Sequence, residues 1–137
     1  MNITDPSIQL LEHGIKPTSN RVLVFRILLN SNRPLSIHEI NDKIPTLDKS
    51  SIFRVLTLFK SYHLVHVVNA DETASYYELC LSHNEETDDD VHVHFLCEKC
   101  GKLYCIREIK PFMPELPDGF SPYSVSMVIK GVCPFCN

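Results

Sequence analysis

Two cysteine couplets near the C-terminus carry the clearest chemistry in this sequence. They are Cys97-Glu98-Lys99-Cys100 and Cys133-Pro134-Phe135-Cys136. Four thiolates brought together are the ligand set that Zn²⁺ prefers in a closed, tetrahedral structural site. Two disulfides, or four unrelated buried thiols, are the alternative interpretations. Because 32 residues separate Cys100 from Cys133, a metal held by both couplets would close a whole small domain rather than a single hairpin.

A second group of metal-ligand residue types lies upstream of these couplets. The sequence VHVHF (91–95) alternates, so on a strand His92 and His94 would project from one face. Cys80 ends a predicted strand and His66 lies on its predicted partner strand, so both could approach the same place. Three nitrogens and one sulfur suit Zn²⁺, and they disfavour Mg²⁺ and Ca²⁺ more than Cu or Ni. His66, Cys80, His92 and His94 are therefore the candidate ligands of a second metal site.

Each of these four residues also has an ordinary structural explanation. A strand histidine is usually half-exposed on the surface, and a cysteine at a strand end is usually a small buried apolar group. Glu78, two residues before Cys80, would share its strand face and is a substitute ligand. Cys105 is a further ligand, a redox-sensitive thiol or part of the core, and the core is the interpretation we favour.

Charge is distributed unevenly along the 137 residues, whose net charge is −4. Residues 1–69 have eight Lys/Arg and five Asp/Glu, a balance of +3, whereas residues 70–137 have five and twelve, a balance of −7. A mildly basic first half and an acidic second half that carries the couplets indicate two modules with different partners. A net negative charge by itself argues against nucleic-acid binding. Because the first half of the chain is positive, that argument does not apply to it.

Several classes of protein are disfavoured by what the sequence lacks. No apolar run approaches the length of a membrane span and no secretory signal opens the chain, so we predict a cytoplasmic protein with reduced thiols and no membrane partner. No Gly-rich phosphate loop, Gly-x-Ser-x-Gly elbow or His-Glu-x-x-His pair is present. A catalytic zinc also keeps an open position for water, unlike four thiolates. We expect neither enzyme activity nor a small-molecule substrate.

The first half of the chain reads as helices followed by a hairpin. Thr18 is the predicted N-cap of a helix over 19–29, and Ser36 with Glu39 forms a capping box for a short helix that ends before Pro45. Asp48 caps a helix from 49 to about 62, and a weaker pattern predicts a helix over 8–13. Period-two runs at 64–68 and 75–79 surround a turn.

This order is that of a winged helix-turn-helix, in which the third helix of the core enters the DNA major groove. A small helical bundle with an unrelated hairpin is the alternative. Residues 82–90 are polar, acidic and aperiodic, which is typical of a solvated hinge. Beyond them, 91–96, 103–106 and 123–132 are predicted strands. Three prolines make any helix within 108–120 short or broken.

With these residues in view, the sequence resembles the ferric uptake regulator family of bacterial metal-sensing repressors. The motifs that carry the resemblance are HGIKPTSNR (13–21), SSIFRVL (50–56), YYEL (76–79), HxHFLCxxCGK (92–102) and GxCxxC (131–136). The resemblance implies an α+β protein: an N-terminal winged helix-turn-helix (1–81), a hinge (82–90), and a small C-terminal α/β dimerisation and metal-binding domain (91–137) with a structural zinc site. It also implies regulatory metal at the hinge and double-stranded DNA as the partner of a homodimer.

Carried over by position, Cys97, Cys100, Cys133 and Cys136 match the family's structural zinc ligands. The helix that begins near Lys49 matches the recognition helix, and Arg54 matches a DNA-contacting arginine. Phe53 stands where the family usually has tyrosine, and Lys16 matches a basic residue that approaches the minor groove. The expected DNA-binding residues are Lys16, Lys49, Ser50, Ser51, Phe53, Arg54 and Lys60.

Departures from the family pattern favour one subfamily. Iron-type members commonly have histidines where this chain has Pro34, Val91, Val93 and Val125. A thiol ending the YYELC strand, with His66 14 residues earlier, resembles the zinc uptake regulators. We therefore hypothesise a zinc-responsive repressor of palindromic operators. An iron, manganese or peroxide sensor of the same family is the nearest alternative. A thiol redox protein and a zinc-stabilised interaction module are the alternatives from other classes.

Overall fold

The computed structural model describes residues 5–70, 74–80, 93–110, 114–122 and 125–137. The chain divides into two compact units, Met1–Leu81 and Ser82–Asn137. The predicted hinge at 82–90 lies outside the described residues. Within the described ranges, no helix has the length and apolar character needed to cross a bilayer.

The helices of the first unit begin at side-chain caps. They are α1 (Pro6–Glu12), α2 (Ser19–Leu29), α3 (Ile37–Lys43) and α4 (Lys49–Ser61). The side chains of Asp5, Thr18, Ser36 and Asp48 each accept a hydrogen bond from a backbone N–H in the first turn. At α3, Glu39 accepts in return from the backbone N–H of Ser36 at 3.2 Å, which completes the predicted capping box. Helix α1 begins two residues before the predicted start, because Asp5 caps it and Pro6 fits the first position.

A three-stranded antiparallel sheet accompanies these helices. Its order is β1-β3-β2, with β1 (Leu35–Ser36), β2 (Val65–Asn69) and β3 (Ser75–Leu79). The sequence pattern predicted β2 and β3 but missed β1, which is two residues long and too short to show any alternation. The helices followed by this hairpin form the winged-helix arrangement.

One face of α4 builds the core of the first unit. Ile52, Val55, Leu56 and Phe59 are buried, and the ring of Phe59 meets that of Phe25 edge to face, with centroids 6.2 Å apart. This burial fixes the rotation of α4 about its own axis. The opposite face of the helix is therefore presented to solvent.

The second unit contains a separate three-stranded sheet. Its order is β5-β4-β6, with β4 (Val93–Cys97), β5 (Leu103–Ile106) and β6 (Met127–Gly131). Strand β4 pairs antiparallel with β5 and parallel with β6. Strand β6 is shorter than the predicted 123–132, and residues 123–124 lie outside the described part. In the described portions of 108–120 there is no helix, as the prolines indicated.

Candidate metal sites and nucleic-acid interface

The four couplet cysteines converge in the second unit. The sulfur atoms of Cys97, Cys100, Cys133 and Cys136 all lie within 4.8 Å of one another. The Cys100 and Cys133 sulfurs are 3.9 Å apart, close to the roughly 3.8 Å between two thiolates on a tetrahedral zinc. None of the six cysteines of the chain forms a disulfide. The cluster is therefore a four-thiolate group that could hold a metal ion, and the disulfide interpretation is wrong.

Sheet topology explains how couplets so far apart in sequence meet. Strands β4 and β6 are parallel neighbours, and Cys97 at the end of β4 pairs with Gly131 at the end of β6. The first couplet begins at the last residue of β4, and the second begins two residues after β6 ends. Both couplets therefore lie at the same end of these two strands. Gly101, with φ +76°, adopts the left-handed conformation that lets the chain turn beneath the first couplet.

The sulfur atoms of this cluster differ in acidity before a metal binds. Backbone N–H groups of Cys100 and Cys133 point at the Cys97 sulfur, 3.5 and 3.4 Å away, and they lower the pKa of Cys97 to about 6. The neighbouring sulfur of Cys133 raises the pKa of Cys136 to about 12, and burial adds to this effect. Four thiolates at this spacing repel one another, so their joint ionisation requires a cation among them.

Proton release is therefore expected to accompany metal binding at the cluster. The raised pKa of Cys136 keeps its thiol protonated near neutral pH, so binding Zn²⁺ must release at least that one proton. Zinc affinity should consequently rise as the pH increases from about 6 to about 8. Calorimetric titration with Zn²⁺ in buffers of different ionisation enthalpy counts the protons released. A count of zero, with affinity independent of pH, would contradict this description.

A second group of ligand atoms lies on the β2–β3 hairpin. The register pairs His66 with Glu78, and Cys80 follows two residues later on the same face. The Nδ1 atom of His66 is 2.5 Å from the Cys80 sulfur, and Nε2 is 3.0 Å from a carboxylate oxygen of Glu78. Glu78 is only 8% exposed. Nδ1 and the sulfur thus face one space while the buried carboxylate orients the ring, an arrangement typical of metal-ligating histidines.

Admitting an ion between these two atoms requires a small movement. A tetrahedral zinc holds a nitrogen and a sulfur ligand about 3.5 Å apart, so the side chains of His66 and Cys80 must separate by about 1 Å. Cys80 is anchored for this by its backbone N–H, which donates to the Leu64 carbonyl at 2.7 Å. The hairpin therefore supplies a positioned pair of ligands.

The remaining predicted ligands belong to the second unit. His94 lies on β4, the central strand of the second sheet, and only 4% of its surface is exposed. Its neighbour across the antiparallel pair is Cys105 on β5, and residues in direct register share a face. Cys105 is therefore beside His94 on the sheet and is not a member of the four-cysteine cluster. His92 lies outside the described residues.

The residues predicted to bind DNA lie on exposed parts of the first unit. Lys49, Ser50, Phe53, Arg54 and Lys60 are exposed along α4, whereas Ser51 is half-buried and its N–H donates to the α4 cap, Asp48. Phe53 is 53% exposed and lies among these polar side chains. Lys16 is exposed in the connection between α1 and α2. The amphipathic pattern of α4 thus separates a core face from a polar, cationic face.

Comparison with known proteins identifies the family of this chain. The sequence profile described as the ferric uptake regulator family matches residues 12–125. The chain belongs to the ferric uptake regulator family. Fur-family members are DNA-binding transcription regulators that dimerise and respond to metals, and they are not enzymes. The prediction of no enzyme activity is confirmed. Membership in a family of DNA-binding regulators also argues against a thiol redox protein and against an interaction module without DNA function.

Individual Fur-family relatives match nearly the whole chain. The ferric uptake regulation protein of Staphylococcus aureus is 28% identical over 146 residues, which cover 100% of this chain and 99% of the relative. The peroxide-responsive repressor PerR of Staphylococcus epidermidis is 26% identical over 137 residues, covering 93% and 85%. The crystal structure of the Vibrio cholerae ferric uptake regulator (Fur) superposes with a TM-score of 0.65 at 19% identity, covering 94% and 100%. That superposition, together with the four-cysteine cluster, confirms the predicted α+β fold class.

Proposed function

We propose that this chain is a zinc-responsive repressor that binds palindromic operator DNA as a homodimer. The observation that supports zinc is the contact between His66 Nδ1 and the Cys80 sulfur, 2.5 Å apart. Replacing an oxygen ligand by a thiolate shifts the preference of a site from Fe²⁺ and Mn²⁺ towards Zn²⁺. The four-thiolate cluster supports a second, structural zinc on the same chemical ground.

The residue that precedes β1, at the edge of the first sheet, also favours zinc over iron as the regulatory metal. Leu35 on β1 pairs with Tyr77, so Pro34 precedes β1 on the side towards Glu78. By the family resemblance, iron-type members have a histidine at this place. Proline offers no side-chain donor atom, so this chain has no β1 ligand and relies on His66 and Cys80. The ligands of the regulatory site in this unit are therefore one nitrogen and one sulfur, without a histidine from β1.

The regulatory switch follows from which unit carries each ligand. His66 and Cys80 belong to the unit with the winged helix, whereas His92 and His94 belong to the unit with the four-cysteine cluster. We infer that one zinc ion binds all four and so selects a single orientation of the two units. In a dimer this orientation sets the spacing of the two α4 helices, which must match half-sites about one helical turn, or a multiple of it, apart. Zinc then raises operator affinity by stabilising the DNA-competent state.

The DNA contacts that complete the proposal come from α4 and its neighbourhood. Lys49, Arg54 and Lys60 are exposed cations that can contact phosphates or base edges, and Lys16 approaches the minor groove. Ser50, Ser51 and Phe53 lie on the same helix and complete the proposed set. Binding is expected to weaken steeply with salt, because each phosphate contact releases counterions.

The direct test is operator affinity with and without zinc. An operator is first selected from random duplexes with zinc-loaded protein, and its affinity is then measured by fluorescence anisotropy before and after removal of exchangeable zinc. We expect about 10- to 100-fold tighter binding with zinc, the usual size of an allosteric coupling. Equal affinities in the two states would reject the switch.

A second candidate is an iron, manganese or peroxide sensor of the same family. The observation that favours it is the Glu78 carboxylate 3.0 Å from His66, since an oxygen ligand in place of the thiolate would suit Fe²⁺ or Mn²⁺. Competition between Zn²⁺, Fe²⁺ and Mn²⁺ at buffered free concentrations distinguishes the two. Operator binding that is activated by Fe²⁺ or Mn²⁺ at concentrations where zinc is excluded would support the second candidate.

A further inference from the structure

A groove in the first unit runs beside the exposed face of α4. It encloses about 850 Å³ between the first residues of α3, the first half of α4 and the beginning of β3. Tyr76 and Tyr77 line the β3 side and are almost completely buried, so that wall is fixed by the sheet. His38 lines the groove on the α3 side, and Lys49 and Arg54 line it on the α4 side.

The lining of this groove is suited to an anion. None of its described lining residues is acidic, whereas Lys49 and Arg54 are exposed cations. His38 adds an imidazole whose side chain is 71% exposed. The acid that His38 contacts is Asp42, one turn further along α3, with 3.6 Å between Nε2 and a carboxylate oxygen. That contact is long and exposed, so it leaves the ring able to turn towards another anion.

The position of the groove indicates which anion it receives. When a recognition helix lies in the major groove, the sugar–phosphate strand that borders the groove passes beside that helix. The preceding helix of a helix-turn-helix crosses this strand. Here α3 is the preceding helix, and its first residues form one wall of the groove. The charged walls and the exposed α4 face are therefore continuous, as contact with a long polyanion requires.

We propose that this groove holds one sugar–phosphate strand of the operator and that His38 donates a hydrogen bond to its phosphates beside Lys49. The inference rests on the proposed DNA-binding function and adds a contact to it. No family motif and no metal-ligand pattern includes His38, so the sequence alone indicates no role for it. Because phosphate contacts do not read bases, His38 should affect operator and unrelated DNA equally.

The test uses charge variants of His38 in the full-length, zinc-loaded protein. His38→Lys places a permanent cation in the groove, His38→Glu an anion, and Asn30→Lys is the matched control. Asn30 is exposed at the end of α2 and lines no part of the groove. Affinities for the selected operator and for an unrelated duplex are measured by anisotropy over a series of salt concentrations, after thermal unfolding has shown that each variant folds.

We expect His38→Lys to tighten binding to both duplexes and to steepen the plot of log K against log salt by about 0.9, the value for one added phosphate contact. His38→Glu should weaken binding to both duplexes by about tenfold. Asn30→Lys should change neither the affinity nor the slope. Slopes for the His38 variants that match the Asn30→Lys control would overturn the assignment of His38.

A second measurement locates the contact. Operators are prepared with one uncharged methylphosphonate at each position in turn, and each is bound to the unsubstituted protein and to His38→Ala. At one phosphate in each half-site, the methylphosphonate should weaken operator binding by the unsubstituted protein. The same methylphosphonate should leave operator binding by His38→Ala unchanged. If the unsubstituted protein binds its operator but no phosphate shows this coupling, the inference fails and the proposed function stands. If no operator is bound at all, both fail.

Discussion

The Cys133→Ser substitution is expected to abolish metal binding at the four-cysteine cluster and to unfold the second unit. Cys133 is almost completely buried, and its sulfur lies 3.9 Å from that of Cys100. A structural zinc contributes about 10–16 kcal/mol to small zinc domains, which is comparable with the whole stability of an ordinary domain, about 5–15 kcal/mol. The described part of this unit has three strands and few buried side chains, so its core cannot compensate. Zinc content per chain and thermal unfolding followed by circular dichroism measure the two effects.

Cys105→Ser is the matched control for this substitution. Cys105 is another thiol of the second unit; it is half-buried, and it lies on β5 and outside the cluster. Its replacement should leave the tightly held zinc and the unfolding midpoint of the second unit nearly unchanged. A Cys133→Ser protein that retains its zinc and unfolds at the original temperature would show that the cluster is not a structural metal site.

The Cys80→Ser substitution is expected to remove the response of DNA binding to zinc and to leave the structural zinc in place. The hydroxyl of serine occupies nearly the same space as the thiol but is a poor zinc ligand at neutral pH. Operator affinity in excess zinc should fall by about 10- to 100-fold, to the level of the zinc-depleted protein. Affinity in the absence of exchangeable zinc should not change. Anisotropy titrations and zinc content per chain test both statements.

His66→Ala should produce the same loss, because His66 Nδ1 and the Cys80 sulfur face the same space. The double variant should be no worse than either single one, as expected when two residues act through one site. His63→Asn is the control: His63 is exposed in the turn before β2 with φ 59°, a conformation that asparagine tolerates. Cys80→Ser protein that still responds fully to zinc would exclude the hairpin as the regulatory site.

Local signals in the sequence were sufficient to predict most of the secondary structure. Helix α2 spans the predicted 19–29, since Thr18 caps its start. The predicted strands 75–79 and 103–106 also have the observed bounds. The four-cysteine cluster was equally predictable, because a tight turn within each couplet and the chemistry of thiolates need no knowledge of the tertiary fold.

Features that depend on pairing between strands were harder to predict. Strand β1 exists only because β3 pairs with it, and the two residues carry no periodic pattern of their own. The contact of Glu78 with His66 depends on the register of the β2–β3 pair, which the sequence of neither strand defines by itself. His94 is only 4% exposed, whereas a strand histidine in an alternating sequence is usually half-exposed on the surface.

The proposed switch is the entry of a second zinc ion, held in part by the His66–Cys80 pair, which stabilises the DNA-binding state. It is tested most directly by adding Zn²⁺ stepwise to protein whose four-cysteine cluster is already filled, with labelled operator present throughout. We expect weak binding at one zinc per chain, a rise in anisotropy as the second ion enters, and saturation at two. Full operator affinity at one zinc per chain, unchanged by further zinc, would contradict it.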